Sequence, residues 1–294
     1  MAAGAAMPAI ECALYVVATP LGNLRDLSLR ALDVLGGVDV IAAEDTRVTR
    51  VLLAHYGIAT RLLSLHEHNE RRRASEIVDL LAAGKSVAVV SDAGTPGVSD
   101  PGSALVAAVA AAGHRVVPVP GASAVIAALS TAGLSAPRWL CCGFLPAAAT
   151  ARRHELERLA GCDCALVFYE APHRVAATIA ALAGALGEQR PLVIARELTK
   201  RFESIHRGRL GDAAGWLAAD PDRLRGEFVL IVGAPIPQHV EARGEADNAH
   251  DAILAALLAE LPLAQAVRLA VSITGAPKNG LYRRALALRG VVGR

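Results

Sequence analysis

Short apolar runs alternate with stretches of helical periodicity along this chain, and that alternation restricts the fold more than any other feature. Residues 14–18, 38–42, 87–90 and 116–119 each read as a buried strand followed by a loop and a helix. Strand, helix, strand in this order predicts βαβ units and a largely parallel sheet, since parallel neighbours need a long crossover connection. AEDTRVTRVLL (43–53) opens one helix with Asp45 or Thr46 as its cap, and HEHNERRR (66–73) leads into another ending near Gly84. Gly121 supplies the turn after the fourth run, with Ser123 as the cap of the next helix.

The alternation weakens between Ser135 and Ala149, where Pro137, Pro146 and small residues cluster. A boundary is expected there, between an amino-terminal α/β domain over 13–136 and a carboxy-terminal one over 137–235. Strands in the second are expected at 165–169, 192–195, near 202–206 and at 228–232. APIPQHVEARGEADN then reads as a linker over 236–249, and 250–294 as a separate helical module. In that module Ile253, Leu254, Leu257, Leu258 and Leu261 form one apolar stripe, Pro262 suits the first turn of a second helix, and Leu281, Ala285 and Leu288 mark a third, the pattern of a small helix-turn-helix. Residues 250–294 hold six basic side chains against two acidic ones, a net of +4 in a chain whose formal charge is +2. Two readings fit this basic tail: a phosphate-rich partner, or a solvated helix surface.

At 294 residues the chain is expected to hold more than one core. Its hydrophobic content of 53% includes no uncharged apolar run of eighteen residues, so no membrane span is expected. MAAGAAMPAIEC lacks the basic start and long apolar core of a secretory signal, and residues 1–12 read as a disordered leader with Met7 as an alternative start. Cys12, Cys141, Cys142, Cys162 and Cys164 form no C-x-x-C pair; reduced thiols in a soluble, cytoplasmic protein are expected. His66 and His68 flank Glu67 without a second ligand pair nearby, so no metal site is expected.

The loop SDAGTPGVSDPG (91–102) carries three glycines and two prolines directly after a strand. Glycines let backbone approach a ligand and prolines limit the entropy lost on ordering; a long turn without a ligand is the alternative. No G-x-G-x-x-G follows the first strand, and no G-x-x-x-x-G-K-[ST] or G-x-S-x-G exists anywhere. Dinucleotide, triphosphate and serine-hydrolase chemistry are thereby disfavoured, leaving a nucleoside-bearing cofactor with little phosphate.

The ordered series TPLGNLRDLSLRAL (19–32), AEDTR (43–47), SDAGTPGVSDPG (91–102), VPVPGASAV (117–125), FYEAPHR (168–174), ARELTKRFE (195–203) and GEFVLIV (226–232) resembles the ribosomal RNA small-subunit methyltransferase I family of the tetrapyrrole-methylase superfamily. TGAPKNGLYRRAL (274–286) is similar to that family's terminal helical module. The resemblance implies an α/β, two-domain tetrapyrrole-methylase-like (class III S-adenosylmethionine methyltransferase) fold with a small carboxy-terminal helical module. It implies S-adenosylmethionine in a cleft between the two α/β domains, methylation of a cytidine ribose 2′-hydroxyl in 16S ribosomal RNA of the small ribosomal subunit, and a homodimer. By motif position it places Ser91, Asp92, Ala93, Gly94, Thr95, Pro96, Val98 and Asp100, with Gly121, Ala122, Ser123 and Ala124, around the cofactor, and Pro20, Phe168 and Tyr169 closing the pocket.

A ribose hydroxyl is a weak nucleophile, so a base to take its proton is expected. Glu170, Glu197 and Lys200 are the candidates, at the mouths of second-domain strands. Arg47, Arg174, Arg196, Arg201, Lys278, Arg283 and Arg284 are candidates for RNA contact. Each has a plainer reading: Glu170 as a helix cap, and Arg196, Glu197, Lys200 and Arg201 as a surface ion-pair cluster of little energetic weight. A small-molecule methylase on the same scaffold and a non-catalytic ribosome-binding protein are the competing functions.

Overall fold

Val40–Ala43 (β2) and Val87–Val90 (β4) are apolar and buried at every position, as strands inside a parallel sheet covered on both faces must be. The computed structural model to which they belong describes residues 10–135, 137–235, 242–276 and 278–292. With Leu14–Val17 (β1), Arg61–Ser64 (β3) and Val116–Val119 (β5) they form a parallel sheet of order β3-β2-β4-β1-β5. Leu29–Gly37 (α1) and Thr46–His55 (α2) cover one face, packing Val34, Leu35, Leu52 and Leu53 on Tyr15, Val17 and Ile41. Glu70–Ala82 (α3) and Ser103–Ala111 (α4) cover the other through Ile77, Leu81, Leu105 and Val109 on Leu14, Val87 and Val89. Strand period two divides the residues between the faces. β3 falls in a stretch where no strand is expected from sequence.

The second sheet departs from the parallel expectation. Trp139–Phe144 (β6), Ala165–Glu170 (β7), Pro191–Arg196 (β8), Ser204–Arg209 (β9) and Phe228–Val232 (β10) lie in the order β6-β7-β10-β8-β9. Only β6 and β7 pair in parallel; β10 runs antiparallel to both its neighbours, as β8 does to β9. Residues 197–203 are too short a link between β8 and β9 for a crossover, so a hairpin results. β9 starts two residues later than the expected strand at 202–206, and Phe202 projects from the turn before it, 64% exposed. β6 occupies the stretch read as a domain boundary.

Ala149–Leu159 (α6), Val175–Leu186 (α7) and Leu210–Ala218 (α8) cover one face of this sheet around Phe168, Ile194 and Leu230. Burying each such Leu or Phe is worth about 1.5–3 kcal/mol. The other face is covered by Ala124–Ala132 (α5), which follows the last strand of the first sheet yet packs Val125, Ala128 and Ala132 on Val167, Val193 and Ile231 of the second. Arg207 of β9 secures the end of α5, donating from Nε to the Ala132 carbonyl at 3.1 Å and from Nη2 to that of Thr131. Both sheets thus belong to one compact unit ending at Pro235.

Of the expected leader, residues 1–9 lie outside the described residues; Ile10 packs on the first core and Cys12 Sγ donates to the Leu81 carbonyl at 3.2 Å. Of the expected linker, residues 236–241 also lie outside. The second unit contains Ala242–Glu260 (α9), Leu263–Thr274 (α10) and Lys278–Val292 (α11), joined through Leu254, Val267, Ala270, Leu281 and Ala285. α9 begins inside the stretch read as linker: its polar composition suggests a connector, but it has no proline and its alanine, arginine and glutamate favour helix. Among the described residues no helix is long and apolar enough to cross a membrane, and no group of three His, Cys, Asp or Glu is set to hold a metal ion.

Candidate active site

Three loops leave the carboxyl ends of β1, β4 and β5 together, where open parallel sheets collect ligands. They are stitched to one another. Thr19 N donates to the Gly94 carbonyl at 2.8 Å, Gly94 N to the Thr19 carbonyl at 3.0 Å, and Thr19 Oγ1 to the Ser91 carbonyl at 2.9 Å. Thr95 Oγ1 reaches the Ala122 carbonyl of the third loop at 3.1 Å. Gly94 takes a φ of +85° to make its bridge, a conformation that costs an L side chain about 1–2 kcal/mol. Glu70, at the start of α3, braces the far end of the second loop: its Oε1 accepts the N–H groups of Gly102, Ala104 and Leu105 at 2.9, 3.0 and 3.1 Å. These are the open donors of the α4 amino terminus, which Gly102 has no side chain to cap.

Between these loops and the second sheet lies a cleft of about 300 Å³. Leu21, Val98 and Ala124 face it from one side, and Ala195, Leu198 and Val229 from the other, giving mostly apolar walls with a few polar groups. That composition and size suit a nucleoside or other small organic group.

Residues 13–214 match the tetrapyrrole (corrin/porphyrin) methylases, and residues 244–289 match the RsmI C-terminal HTH domain. The chain is 48% identical over 279 residues to ribosomal RNA small subunit methyltransferase I of Pseudomonas aeruginosa, covering 94% of this chain and 98% of that protein. It is 50% identical over 269 residues to the protein of the same name from Xylella fastidiosa, covering 92% and 97%. The chain belongs to the ribosomal RNA small subunit methyltransferase I family.

As a member of the ribosomal RNA small subunit methyltransferase I family it is a methyltransferase, and its methyl donor is S-adenosylmethionine. Among solved structures, the methyltransferase CobJ has a TM-score of 0.57 at 24% identity, over 75% of this chain and 93% of that one. Uroporphyrin-III C-methyltransferase from Thermus thermophilus, complexed with S-adenyl homocysteine, has 0.53 at 20%, over 75% and 97%. Both likenesses are of fold.

Of the residues expected at the cofactor, Ala93, Gly94, Thr95, Val98, Asp100, Ser123, Ala124 and Tyr169 line the cleft. Ser91, Pro20 and Pro96 are buried outside that lining, and Gly121 and Ala122 shape the third loop through their backbone. Asp92 turns aside to accept the Asp45 N–H at 3.0 Å. Phe168 lies in the core on the opposite side of β7, fully buried, because successive strand residues point to opposite faces. Ser99, inside the expected 91–100 loop, lines the cleft too, and Leu21, Phe144, Leu198, Glu227 and Val229 join it from outside the expected set. Leu21, Leu198, Glu227 and Val229 sit inside the quoted motifs, while Phe144 belongs to β6, a strand not expected from sequence.

The three candidate bases are all committed to partners. Glu170 borders the cleft but is 2% exposed, and its carboxylate accepts from Ala171 N at 2.8 Å and Thr178 Oγ1 at 2.5 Å, with Arg174 Nε 3.2 Å away. It staples β7 to α7. Lys200 Nζ lies 3.1 Å from Glu197 Oε1 and 3.0 Å from Glu227 Oε2. Desolvation pulls its pKa down, but the two carboxylates outweigh that and raise it, so Lys200 keeps its proton. Desolvation pushes Glu197 up, while the Glu227 N–H and Lys200 together bring it below the ordinary carboxylate value.

Several candidate RNA contacts are also engaged. Arg174 donates to the Leu145 carbonyl, and Arg196 to the carbonyls of Arg225 at 2.6 Å and Phe202 at 3.1 Å. Arg284 pairs with Asp251 inside the helical unit. Arg47 is largely exposed, with its head on Asp45 at 2.5 Å, and Arg201 lies over the Phe202 ring at 5.5 Å. Lys278 and Arg283 are exposed on α11.

Two cleft groups titrate away from their usual range. Burial, then the charges of Glu44 and Asp92, push Asp100 up to about 6 against the opposing Ser91 hydrogen bond. Burial pushes Tyr169 up to about 12.

Proposed function

We propose that this enzyme transfers a methyl group from S-adenosylmethionine, bound in the cleft, to the ribose 2′-hydroxyl of one cytidine in 16S ribosomal RNA. The observation that carries this reading is the identity of 48–50% to small subunit methyltransferases I, spread over both cleft-forming halves and the terminal helices. The proposal includes a cytoplasmic homodimer acting on the small ribosomal subunit, and α/β domains over 13–136 and 137–235 with a helical RNA-contacting module after the linker.

The bound donor supplies an electrophilic methyl group on a sulfonium. Gly94, Thr95, Ser123 and Ala124 would hold it with backbone and small side chains, while Leu21, Leu198 and Val229 exclude water. Stitched loops keep those positions fixed, and positioning of reactants can account for about 7–11 kcal/mol of a barrier. Lys278 and Arg283 are exposed on α11, where RNA phosphates would meet positive charge.

Mass-spectrometric mapping of ribose methylation after incubating small subunits with the enzyme and labelled donor is the direct test. One new 2′-O-methylcytidine is expected; a base methylation or an untouched RNA would refute the reading. Truncation after Pro235 separates it from a small-molecule methylase. Donor binding should survive, while RNA methylation should fall and the remainder should depend less steeply on salt.

A further inference from the structure

Four titratable side chains line the cleft: Asp100, Tyr169, Glu170 and Glu227. Three cannot readily take a proton from a substrate. Glu170 is saturated by Ala171, Thr178 and Arg174; Glu227 holds Lys200; Tyr169 already carries its proton at neutral pH. Asp100 is different. It is half-buried in the cleft wall, and among the described residues no lysine or arginine forms an ion pair with it.

We infer that Asp100 is the proton acceptor for the attacking hydroxyl, rather than part of the cofactor wall. The inference rests on the reading of a ribose hydroxyl as the methyl acceptor. As the 2′-oxygen forms its bond to the methyl carbon, the carbon–sulfur bond breaks and its electron pair stays on sulfur. The hydroxyl proton passes to an Asp100 carboxylate oxygen and then to water, and S-adenosylhomocysteine is released neutral at sulfur.

The surroundings tune Asp100 for this work. The negative charges of Glu44, at the end of β2, and of Asp92, in the same loop, act on it, and Tyr169 of β7 lines the same cleft. Burial and like charge raise proton affinity while leaving most of the group ionised at neutral pH, the compromise a general base needs. Its position is fixed from behind by the Glu70 brace on Gly102, two residues further on.

The experiment compares full-length wild type with D100N and D100E. Single-turnover methylation of small subunits is followed across pH 5–9, and donor binding is measured by calorimetry. D100N should bind S-adenosylmethionine within about twofold of wild type but react about 10² to 10⁴ times more slowly. The wild-type rate should rise with pH around a midpoint of about 6, a limb that D100N lacks and D100E partly restores. A D100N rate recovered by saturating donor would make Asp100 a cofactor ligand and overturn the inference, as would an unchanged rate or a wild-type profile flat across pH 6. The mapped product keeps the two readings apart. If wild type forms 2′-O-methylcytidine and D100N matches it, only the role of Asp100 falls; if wild type forms no ribose methylation, the acceptor reading itself fails.

Discussion

Lys200 lies across Gly22, its Cε and Cδ 2.9 and 3.0 Å from where a Cβ on that glycine would stand. The same turn meets a second glycine, since a Cβ on Gly226 would be 2.6 Å from Glu197 Cδ. The loop after β1, the turn after β8 and the approach to β10 therefore close into one joint, with Lys200 Nζ between Glu197 and Glu227. Gly22→Val should expel the lysine stem and cost about 1–3 kcal/mol by overpacking. Urea unfolding reads the loss, and a normal midpoint would show that the joint can open without cost.

Gly94 makes its paired hydrogen bonds with Thr19 at positive φ, and a Cβ there would meet Leu21 Cδ2 at an ordinary 3.5 Å. Space allows a small side chain; backbone conformation opposes it. Gly94→Ala should lose about 1–2 kcal/mol of stability, and Gly94→Val should in addition crowd the wall and weaken S-adenosylmethionine binding. Calorimetry showing wild-type donor affinity for the valine variant would remove Gly94 from the cofactor site.

Glu70→Ala should uncap α4 and leave three N–H groups without their carboxylate. A loss of about 0.5–2 kcal/mol is expected, as for other helix caps, with Glu70→Gln retaining part of it. Hydrogen exchange of the Gly102, Ala104 and Leu105 amides should quicken in the alanine variant ahead of amides in β4.

Asp39 accepts from Ser86 N at 2.8 Å and Ser86 Oγ at 2.9 Å and pairs with Lys85 at 3.0 Å, which lowers its pKa to about 2. Because the folded value is depressed, its stabilisation is full above the unfolded value near 3.8 and is lost as pH falls towards about 2. Wild type should exceed Asp39→Asn in stability at pH 7, and the gap should close between about pH 4 and 2. A gap independent of pH would mean that the carboxylate's charge contributes nothing.

Elements with a strong local signal were legible. β4 and β2 are apolar at every position, Asp45 caps α2 through the Arg47 N–H at 2.8 Å, and the stripes of the terminal helices meet in one core. β3 was not legible, because RLLS is too short and too mixed to stand out. Nor was β6: it is an edge strand whose Trp139, Leu140 and Phe144 stay exposed, with two prolines close by. Within the candidate site the motifs located the loops, while strand alternation decided that Tyr169 and not Phe168 faces the cleft.

By itself the sequence determined the α/β class, the family, the glycine- and proline-rich loop after β4 and the separate helical tail, because these depend on local periodicity, backbone permissiveness and ordered motifs. Only the tertiary structure decided the antiparallel pairing of the second sheet, the seating of α5 on that second sheet, and which charged groups are spent on one another. Those outcomes depend on partners far apart in the chain. Lys200 is neutralised by Glu197 and Glu227, and Asp100 is raised by Glu44, through encounters that no local pattern encodes.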